Sequence, residues 1–325
     1  MSEETDCELY EIPQLKSYDW GNFPPLAIGL YGAIHNRNAS VALQLSRYFY
    51  DNEKQIHSYN KSNGLENCNT ASKLPSSVLK IAQPFKLDKE EALGLRLCKW
   101  PGRAQIVTKG KYLSYFLDGA HTLLSVQACR SWFEYASNIQ EQTIRPSKTV
   151  KILIFNTTKD RQPKALLSHF STYPFDKVIF STNLAKPQSG NYTDNTNYTT
   201  STSGQSKRCE EHKSAWEELQ NDKLVNNTCV DSTTPPDYAN SFASHAPYTV
   251  PCYTASNINE AIEYATSQLF NDGESVERTL VQVLVTGSIH LVGGVLQIID
   301  PDIFNRVEDA EELRISEQYQ KFSAQ

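Results

Sequence analysis

The stretch Val150-Lys151-Ile152-Leu153-Ile154-Phe155 decides the fold class of this chain. Apart from Lys151 its residues are apolar, and the run is short and nearly continuous. Such a run is typical of a strand that is buried on both faces of a parallel sheet. A second apolar run at residues 280–285 predicts another strand of the same kind.

Outward from this strand, the chain alternates between strand and helix patterns. Strands are predicted at residues 105–108, 113–117 and 177–180, with a hairpin joining the first two. Helices are predicted at residues 125–135, 163–170 and 257–269, and residues 292–298 fit a helix or a strand. This alternation predicts an α/β fold with a Rossmann-like, doubly wound and mostly parallel sheet from about residue 101. Ligands bind such sheets at the carboxyl ends of the strands.

The first hundred residues are organised differently. An amphipathic helix is predicted at residues 38–50, with Asn36 or Asn38 as its cap, and a short helix at 88–95. Residues 51–78 are polar and are predicted to form an irregular insertion. The break at Trp100-Pro101-Gly102-Arg103 divides the chain into domains at residues 1–98 and 99–325.

A long polar segment interrupts the second domain at about residues 186–250. It is rich in Ser, Thr, Asn and Pro, with a charged helical part at 209–224. We predict a large surface insertion that is partly disordered.

Composition excludes several classes of protein. The 325 residues have a net charge of −6, which argues against non-specific nucleic-acid binding. The seven cysteines are spread without a CxxC pair, which favours reduced thiols in an intracellular protein. No apolar stretch is long enough to span a membrane, and the first residues do not resemble a signal or transit peptide.

Asp118 and His121 follow directly on a predicted strand and form the main candidate site. An aspartate at this position can accept hydrogen bonds from ribose hydroxyls or hold a metal-bound water. A histidine three residues later can donate to a phosphate or polarise a carbonyl. The alternative is equally strong on spacing alone: Asp118 caps the helix at 125–135, and His121 is satisfied locally.

Further candidates lie at other breaks and strand ends. Arg103 follows a rigid turn and can hold phosphate oxygens bidentately, although an exposed loop arginine is the more common case. Thr286-Gly287-Ser288 follows the strand at 280–285 and could bind a carboxylate, but this motif alone is weak. Lys159-Asp160-Arg161 is a third strand-end cluster, for which a solvated turn is the simpler interpretation. His35 and Asn38 lie near a predicted helix start and can touch an adenine or phosphates, or merely cap the helix.

Together these segments resemble the folylpolyglutamate synthases of the Mur-ligase-like family of ATP-dependent amide-bond-forming enzymes. The resemblance covers residues 25–300 and rests on five segments in the same order. They are Gly32-Ala33-Ile34-His35-Asn36-Arg37-Asn38-Ala39, Trp100-Pro101-Gly102-Arg103, Phe116-Leu117-Asp118-Gly119-Ala120-His121-Thr122, Ile154-Phe155-Asn156 with Asp160-Arg161, and Val285-Thr286-Gly287-Ser288-Ile289-His290-Leu291-Val292-Gly293-Gly294. The polar segment at 186–250 resembles that of eukaryotic members.

The resemblance implies a reaction and a set of site residues. ATP and Mg²⁺ would convert the γ-carboxyl of tetrahydrofolate, or of a folylpolyglutamate, to an acyl phosphate, which L-glutamate then attacks. Carried onto this chain, Arg103 would contact the ATP phosphates, Asp118 the ribose, and His121 the γ-phosphate or the incoming glutamate as a catalytic residue. Ser288 would lie near the glutamate subsite, and His35 and Asn38 near the adenine.

The chain departs from the family in one respect. No G-x-x-x-x-G-K-[ST] phosphate loop occurs in it, and the lysine and acidic magnesium ligands that accompany the loop are missing too. Residues 1–98 would then be the end of a phosphate-loop ATPase domain, in which case a truncated gene model is the simplest explanation and an inactive splice form the second. We expect that these residues alone bind nucleotide weakly at best and have no turnover.

Other functions remain open at this point. They are dihydrofolate synthesis within the same family and a non-catalytic nucleotide-binding or interaction module. Dinucleotide binding is disfavoured because no G-x-G-x-x-G follows a strand. A monomer in the cytoplasm, the mitochondrial matrix or both is expected.

Overall fold

The structure is a computed structural model of the chain. It describes residues 9–24, 26, 28–62, 80–158, 162–185, 202–228, 249–267 and 278–303, without the side chains of 51–62, 202 and 223–228. The chain forms two compact units, Met1–Trp100 and Pro101–Gln325.

The described residues of unit 1 form two helices, a short 3-10 helix and a two-stranded parallel sheet. Their bounds are β1 Tyr10–Glu11, the 3-10 helix Leu15–Ser17, α1 Ala33–Ser62, β2 Lys80–Ile81 and α2 Lys89–Leu97. A small apolar core joins the 3-10 helix, α1 and α2, and is formed by Leu15, Tyr18, Trp20, Ala39, Leu43, Leu87 and Ala92. Arg47 on α1 donates to both carboxylate oxygens of Glu91 on α2 at 2.7 Å, which ties the two helices together.

The bounds predicted for α1 were wrong at both ends. The helix begins at Ala33 because Gly32, with φ of 104°, cannot continue a helix and its carbonyl accepts from the His35 amide at 3.0 Å. Asn36 and Asn38 therefore lie inside the first turns rather than at the cap. The helix also runs on to Ser62, through residues predicted as irregular.

The short helix predicted at 88–95 is confirmed as α2. Its N-terminus carries a capping box, in which the Asp88 side chain accepts from the Glu91 amide at 2.7 Å and Glu91 accepts from the Asp88 amide at 2.9 Å.

Unit 2 is built on a six-stranded sheet in the order β3-β4-β8-β5-β6-β7. The strands are β3 Gln105–Lys109, β4 Leu113–Asp118, β5 Lys148–Phe155, β6 Lys177–Ser181, β7 Cys252–Ala255 and β8 Thr279–Thr286. All neighbouring pairs are parallel except β3 and β4, which form the predicted antiparallel hairpin. The sheet is thus mostly parallel, as predicted.

Five helices cover the two faces of this sheet. They are α3 Leu123–Ile144, α4 Pro163–Ser171, α5 Thr202–Thr228, α6 Ile258–Thr266 and α7 Ile289–Ile299. Successive residues of β5 point to opposite faces: Leu153 joins the apolar core under α3, α4 and α5, and Ile152 joins the core under α6 and α7. Two cores on the two faces confirm the doubly wound arrangement.

Several details of unit 2 were predicted incompletely. β7 was not predicted, and α3 is much longer than residues 125–135. Residues 292–298, for which the sequence fitted either a helix or a strand, belong to the helix α7.

The interpretation of residues 186–250 as a surface insertion was wrong for α5. Cys209 and Trp216 on this helix are buried in the core with Phe155 and Phe180. Buried residues recur along the helix at a spacing of three or four, so one face of α5 forms part of the core although its other faces are charged. Residues 186–201 and 229–248 lie outside the described residues.

Candidate functional site

The ends of three neighbouring strands meet at the carboxyl edge of the sheet. In register, Asp118 on β4 and Phe155 on β5 both pair with Thr286 at the end of β8. The loops that follow these strands therefore begin side by side. This edge is where ligands bind in doubly wound sheets.

The turn before β3 is bonded to the loop after β4. The Gly119 amide donates to the Gly102 carbonyl at 3.1 Å, and the Ala104 amide donates to Oδ2 of Asp118 at 2.9 Å. Gly102 and Ala104 both have positive φ, at 76° and 42°, so the turn is held in a conformation that few residues adopt. The two hydrogen bonds fix Arg103 beside Asp118.

Arg103 and Asp118 form a loose ion pair, with Nη1 4.0 Å from Oδ1. Both side chains are partly exposed, at 23% and 13%. Burial raises the pKa of Asp118, while the Ala104 amide and the Arg103 charge act in the opposite direction. The carboxylate is thus partly desolvated and directed by its neighbours, a setting in which hydrogen bonds to a ligand are strong.

Asp118 does not cap the following helix. Thr122 is the N-cap of α3, and its side chain forms a capping box with Ser125. The alternative interpretation of Asp118 as a helix cap was therefore wrong.

His121 has a defined ring orientation. Its Nδ1 lies 2.7 Å from the Gly119 carbonyl oxygen, which can only accept, so Nδ1 carries the proton. In the neutral ring Nε2 is then an acceptor. The His121 backbone amide also donates to Oγ of Ser125 at 3.0 Å, which anchors the residue to α3.

The loop after β8 is shaped by Gly287 and Ser288. Gly287 has φ of 96°, and a Cβ there would overlap the Asn156 carbonyl oxygen. Ser288 is the buried N-cap of α7, and its side chain accepts from the Leu291 amide at 3.5 Å. Its hydroxyl is thus used in capping, and its contact with glutamate stays a prediction.

Gly119 lies between a cation and an apolar side chain. A Cβ at this position would come within 2.8 Å of Cγ1 of Ile289 and 3.2 Å of Nη1 of Arg103. Ile289 begins α7 and is 54% exposed. Ile289 was not predicted as a site residue, because an isoleucine in an apolar helix pattern looks like a core residue.

The remaining predicted residues are placed as follows. His35 is buried in the first turn of α1 and Asn38 is exposed in the next turn; both belong to unit 1. Lys159-Asp160-Arg161 lies outside the described residues. The structure therefore brings together Arg103, Asp118 and His121, with Ser288 beginning the loop after the adjacent strand.

A buried polar group at the ends of β5 and β6 was missed. His212 on α5 lies with Nε2 2.9 Å from Oγ1 of Thr157, and Arg208 donates to the Thr157 carbonyl at 3.3 Å. Burial lowers the pKa of His212 to about 3. The contact joins segments 55 residues apart in sequence, so no local pattern could have indicated it.

Among the described residues, no group of three or more His, Cys, Asp or Glu side chains could hold a metal ion. No helix in the described ranges is long and apolar enough to cross a membrane. Four cysteines in these ranges are free thiols: Cys98, Cys129, Cys209 and Cys252.

Comparison with known proteins confirms the resemblance inferred from the sequence. The chain is 32% identical to the human mitochondrial folylpolyglutamate synthase over 92% of its own length and 54% of that protein. It is 26% identical to a putative folylpolyglutamate synthase of Caenorhabditis elegans over 89% of the chain and 47% of that protein. The chain spans about half the length of these curated relatives. No family model matches it.

Solved structures give a weaker likeness. The folylpolyglutamate synthase of Mycobacterium tuberculosis complexed with ADP aligns with a TM-score of 0.47 at 17% identity, over 86% of this chain and 43% of that one. The enzyme of Thermotoga maritima aligns with a TM-score of 0.42 over 91% of this chain and 47% of that one.

Proposed function

We propose that this chain forms the nucleotide-binding edge of an ATP-dependent ligase that adds L-glutamate to the γ-carboxyl of tetrahydrofolate or a folylpolyglutamate. Its similarity to folylpolyglutamate synthases over 92% of its length supports this reaction class. The observation that carries the proposal is the cluster of Arg103, Asp118 and His121 at the carboxyl edge of the sheet, in which Arg103 and Asp118 form an ion pair and hydrogen bonds to the backbone orient Asp118 and His121.

Each residue of the cluster suits one part of ATP. Asp118 has carboxylate oxygens directed by the Ala104 amide and can accept hydrogen bonds from ribose hydroxyls. The Arg103 guanidinium, 4.0 Å from that carboxylate, can hold phosphate oxygens. His121 has Nε2 left for a ligand, because Nδ1 donates to the Gly119 carbonyl oxygen. We assign His121 to the incoming glutamate, whose ammonium group Nε2 of the neutral ring can accept from, or to the γ-phosphate, to which Nε2 donates only when both ring nitrogens are protonated.

The other assignments depend on the family resemblance. Ser288 is proposed to border the glutamate subsite through the N-terminal turn of α7, and His35 and Asn38 to border the adenine. The Ser288 hydroxyl oxygen accepts from the Leu291 amide, and its proton can still donate to a glutamate carboxylate.

These 325 residues lack the parts that would drive acyl phosphate formation. They contain no G-x-x-x-x-G-K-[ST] segment, and the described ones offer no cluster of metal ligands. Stabilising the charge that develops on a transferred phosphoryl group requires such parts. We therefore propose that most ligands of Mg²⁺ come from ATP and from the phosphate-loop part of the enzyme, and that this chain alone binds nucleotide weakly at best and without turnover.

Two competing functions are less well supported. The curated relatives reported above are named as folylpolyglutamate synthases, which favours glutamate addition over dihydrofolate synthesis. A non-catalytic nucleotide-binding module shares the same cluster, and only activity separates it from a ligase. A monomer in the cytoplasm, the mitochondrial matrix or both remains our proposal, and the mitochondrial name of the human relative fits the second compartment.

The test is glutamate incorporation. The purified chain is incubated with ATP, Mg²⁺, tetrahydrofolate and labelled L-glutamate, beside a fusion in which the human relative supplies a phosphate-loop segment upstream. We expect no incorporation by the chain alone, and incorporation by the fusion that Asp118→Ala abolishes. Turnover by the chain alone refutes the need for a phosphate loop. A fusion that binds ATP without turnover favours the non-catalytic module.

A further inference from the structure

Two side chains of α5 hold Thr157 in the loop after β5. Nε2 of His212 lies 2.9 Å from Oγ1 of Thr157, and Nη1 of Arg208 donates to the Thr157 carbonyl at 3.3 Å. The His212 ring packs against Phe155 and Phe180, with ring centroids 5.5 Å and 5.9 Å away. Thr157 and His212 are each 1% exposed, so water does not compete for their contact. The position of Thr157 therefore depends on α5.

Asn156, which precedes Thr157, joins the ends of three strands. Its backbone amide donates to the Thr286 carbonyl of β8 at 3.3 Å, and its side-chain Nδ2 donates to the Ser181 carbonyl of β6. Its own carbonyl oxygen lies so close to Gly287 that a Cβ there would overlap it. The loop after β5 thus lies directly against the turn after β8.

We propose that His212 and Arg208 are positioning residues for the turn after β8, which they hold through the loop after β5. By fixing Thr157 they keep the Asn156 carbonyl in place, and that carbonyl limits where Ser288 can lie. The positioning follows from these contacts alone, and its effect on L-glutamate rests on the proposed function. It makes α5, in the polar segment of the chain, a support of the glutamate subsite.

The polarity of His212 exceeds what the packing of α5 requires. Trp216 and Cys209 already pack this helix into the core. Burial lowers the pKa of His212 to about 3, which reflects the cost of removing its ring from water. An apolar side chain would fill the same space without this cost but could not bond the Thr157 hydroxyl. The polar pair therefore serves to fix Thr157 rather than to fill the core.

The test measures amide hydrogen exchange by NMR in the ¹⁵N-labelled full chain. His212→Phe keeps an aromatic ring in the core and loses the contact with Thr157. We expect the amides of Asn156 and Leu291 to exchange about five- to tenfold faster in this variant, since Leu291 donates to the Ser288 hydroxyl. Glutamine can both donate and accept, so His212→Gln should restore the wild-type rates.

Three controls separate positioning from general loss of stability. The Val126 amide, which donates to the Thr122 carbonyl at 2.8 Å in the first turn of α3, should exchange at its wild-type rate in every variant. Gln220 is buried on α5 about 12 Å along the helix from His212, and Gln220→Met should leave the Asn156 and Leu291 amides unchanged. Arg208→Met removes the second contact to Thr157 at a half-buried position, and should accelerate the same two amides if His212→Phe does not fold.

The glutamate subsite supplies the second readout. In the fusion with the phosphate-loop segment, His212→Phe should raise the KM for L-glutamate about threefold or more and leave the KM for ATP within twofold. His212→Gln should retain both values. A fusion without turnover contradicts the proposed function, and the exchange rates in the full chain then decide the positioning role.

Two results would overturn the inference. If His212→Phe leaves the exchange of Asn156 and Leu291 unchanged, the contact with Thr157 does not position the turn after β8. If it accelerates Val126 as much as the other two amides, His212 acts only through the stability of the whole unit.

Discussion

The Asp118 carboxylate accepts a hydrogen bond from the Ala104 backbone amide at 2.9 Å, across 14 positions of sequence. Ala104 is buried, and its φ of 42° lies in the left-handed region. The bond therefore couples a constrained turn to the end of β4. It also keeps one carboxylate oxygen in a fixed direction, so that Arg103 and Asp118 hold a fixed position relative to each other in the site.

Asp118→Asn should change the pH dependence of stability. Because burial raises the pKa of Asp118, the folded state holds this proton more tightly than the unfolded state. The contribution of Asp118 to the free energy of unfolding therefore falls as the pH rises above the ordinary pKa of 3.8. An asparagine has no proton to lose in this range, and its side-chain oxygen still accepts from the Ala104 amide. Urea unfolding at pH 4 and pH 7 should show the variant gaining on the wild type at the higher pH.

The control for this change is Asp222→Asn, whose side chain is 63% exposed. If Asp118→Asn instead loses stability relative to the wild type between pH 4 and pH 7, the hydrogen bond from the Ala104 amide and the Arg103 charge outweigh burial in setting the pKa of Asp118.

His212 should contribute to acid sensitivity. Its folded pKa of about 3 lies below the ordinary 6.5, so the unfolded chain takes up a proton first as the pH falls. The contribution of His212 to the free energy of unfolding is complete above pH 6.5 and is lost as the pH falls toward 3. Between pH 7 and pH 5 the loss is about 2 kcal/mol. His212→Gln should lose correspondingly less over that interval in denaturant titrations.

His169→Gln, on α4, provides the comparison for His212. Equal acid sensitivity of the wild type and His212→Gln would show that His212 is hydrated or already charged in the folded protein.

Trp216 tests whether α5 belongs to the core. The side chain is fully buried against the aromatic residues of the sheet, so Trp216→Ala should lower the free energy of unfolding by about 3–5 kcal/mol. Glu211→Ala, at an exposed position of the same helix, should change it by about 0.5 kcal/mol or less. A small effect at Trp216 would mean that the helix is not packed on the sheet in solution.

Gly287 tests the packing at the end of β8. An alanine there would adopt a strained φ of 96° and overlap the Asn156 carbonyl, so Gly287→Ala should cost about 2 kcal/mol or more in thermal or urea unfolding. Gly293→Ala is the matched control in α7, where a Cβ meets nothing within 4 Å and a helix favours alanine by about 0.5–1 kcal/mol. If Gly287→Ala leaves the unfolding stability unchanged, the loop after β8 does not contact the Asn156 carbonyl in the loop after β5.

The sequence was sufficient for features that depend on local patterns. The apolar run of β5 and the hairpin of β3 and β4 follow from strand periodicity and turn residues, and all three strands were predicted near their observed bounds. The Asp118 and His121 loop was located because a strand end is visible in sequence. Its role was not decided, because whether an aspartate caps a helix depends on which residue reaches the helix amides, and here that residue is Thr122.

Features that depend on distant contacts were not predictable. α5 looked like a polar surface helix because its sequence shows no clear apolar face. Trp216 and Cys209 nevertheless fill the core against strands that are far away in sequence. β7 was missed because its short segment, Cys252–Ala255, has no clear alternation and becomes a strand by pairing with β6. Ile289 became part of the candidate site only through its approach to Gly119.

The nucleotide affinity of the Asp118→Ala variant tests the central claim most directly. ATP with Mg²⁺ is titrated into the wild-type chain and the variant, with circular dichroism to check that both are folded. Loss of hydrogen bonds from a charged acceptor should weaken binding about tenfold or more. Saturable binding by the wild type and this loss in the variant are the expected result, and equal ATP affinity of the two folded proteins would contradict the assignment.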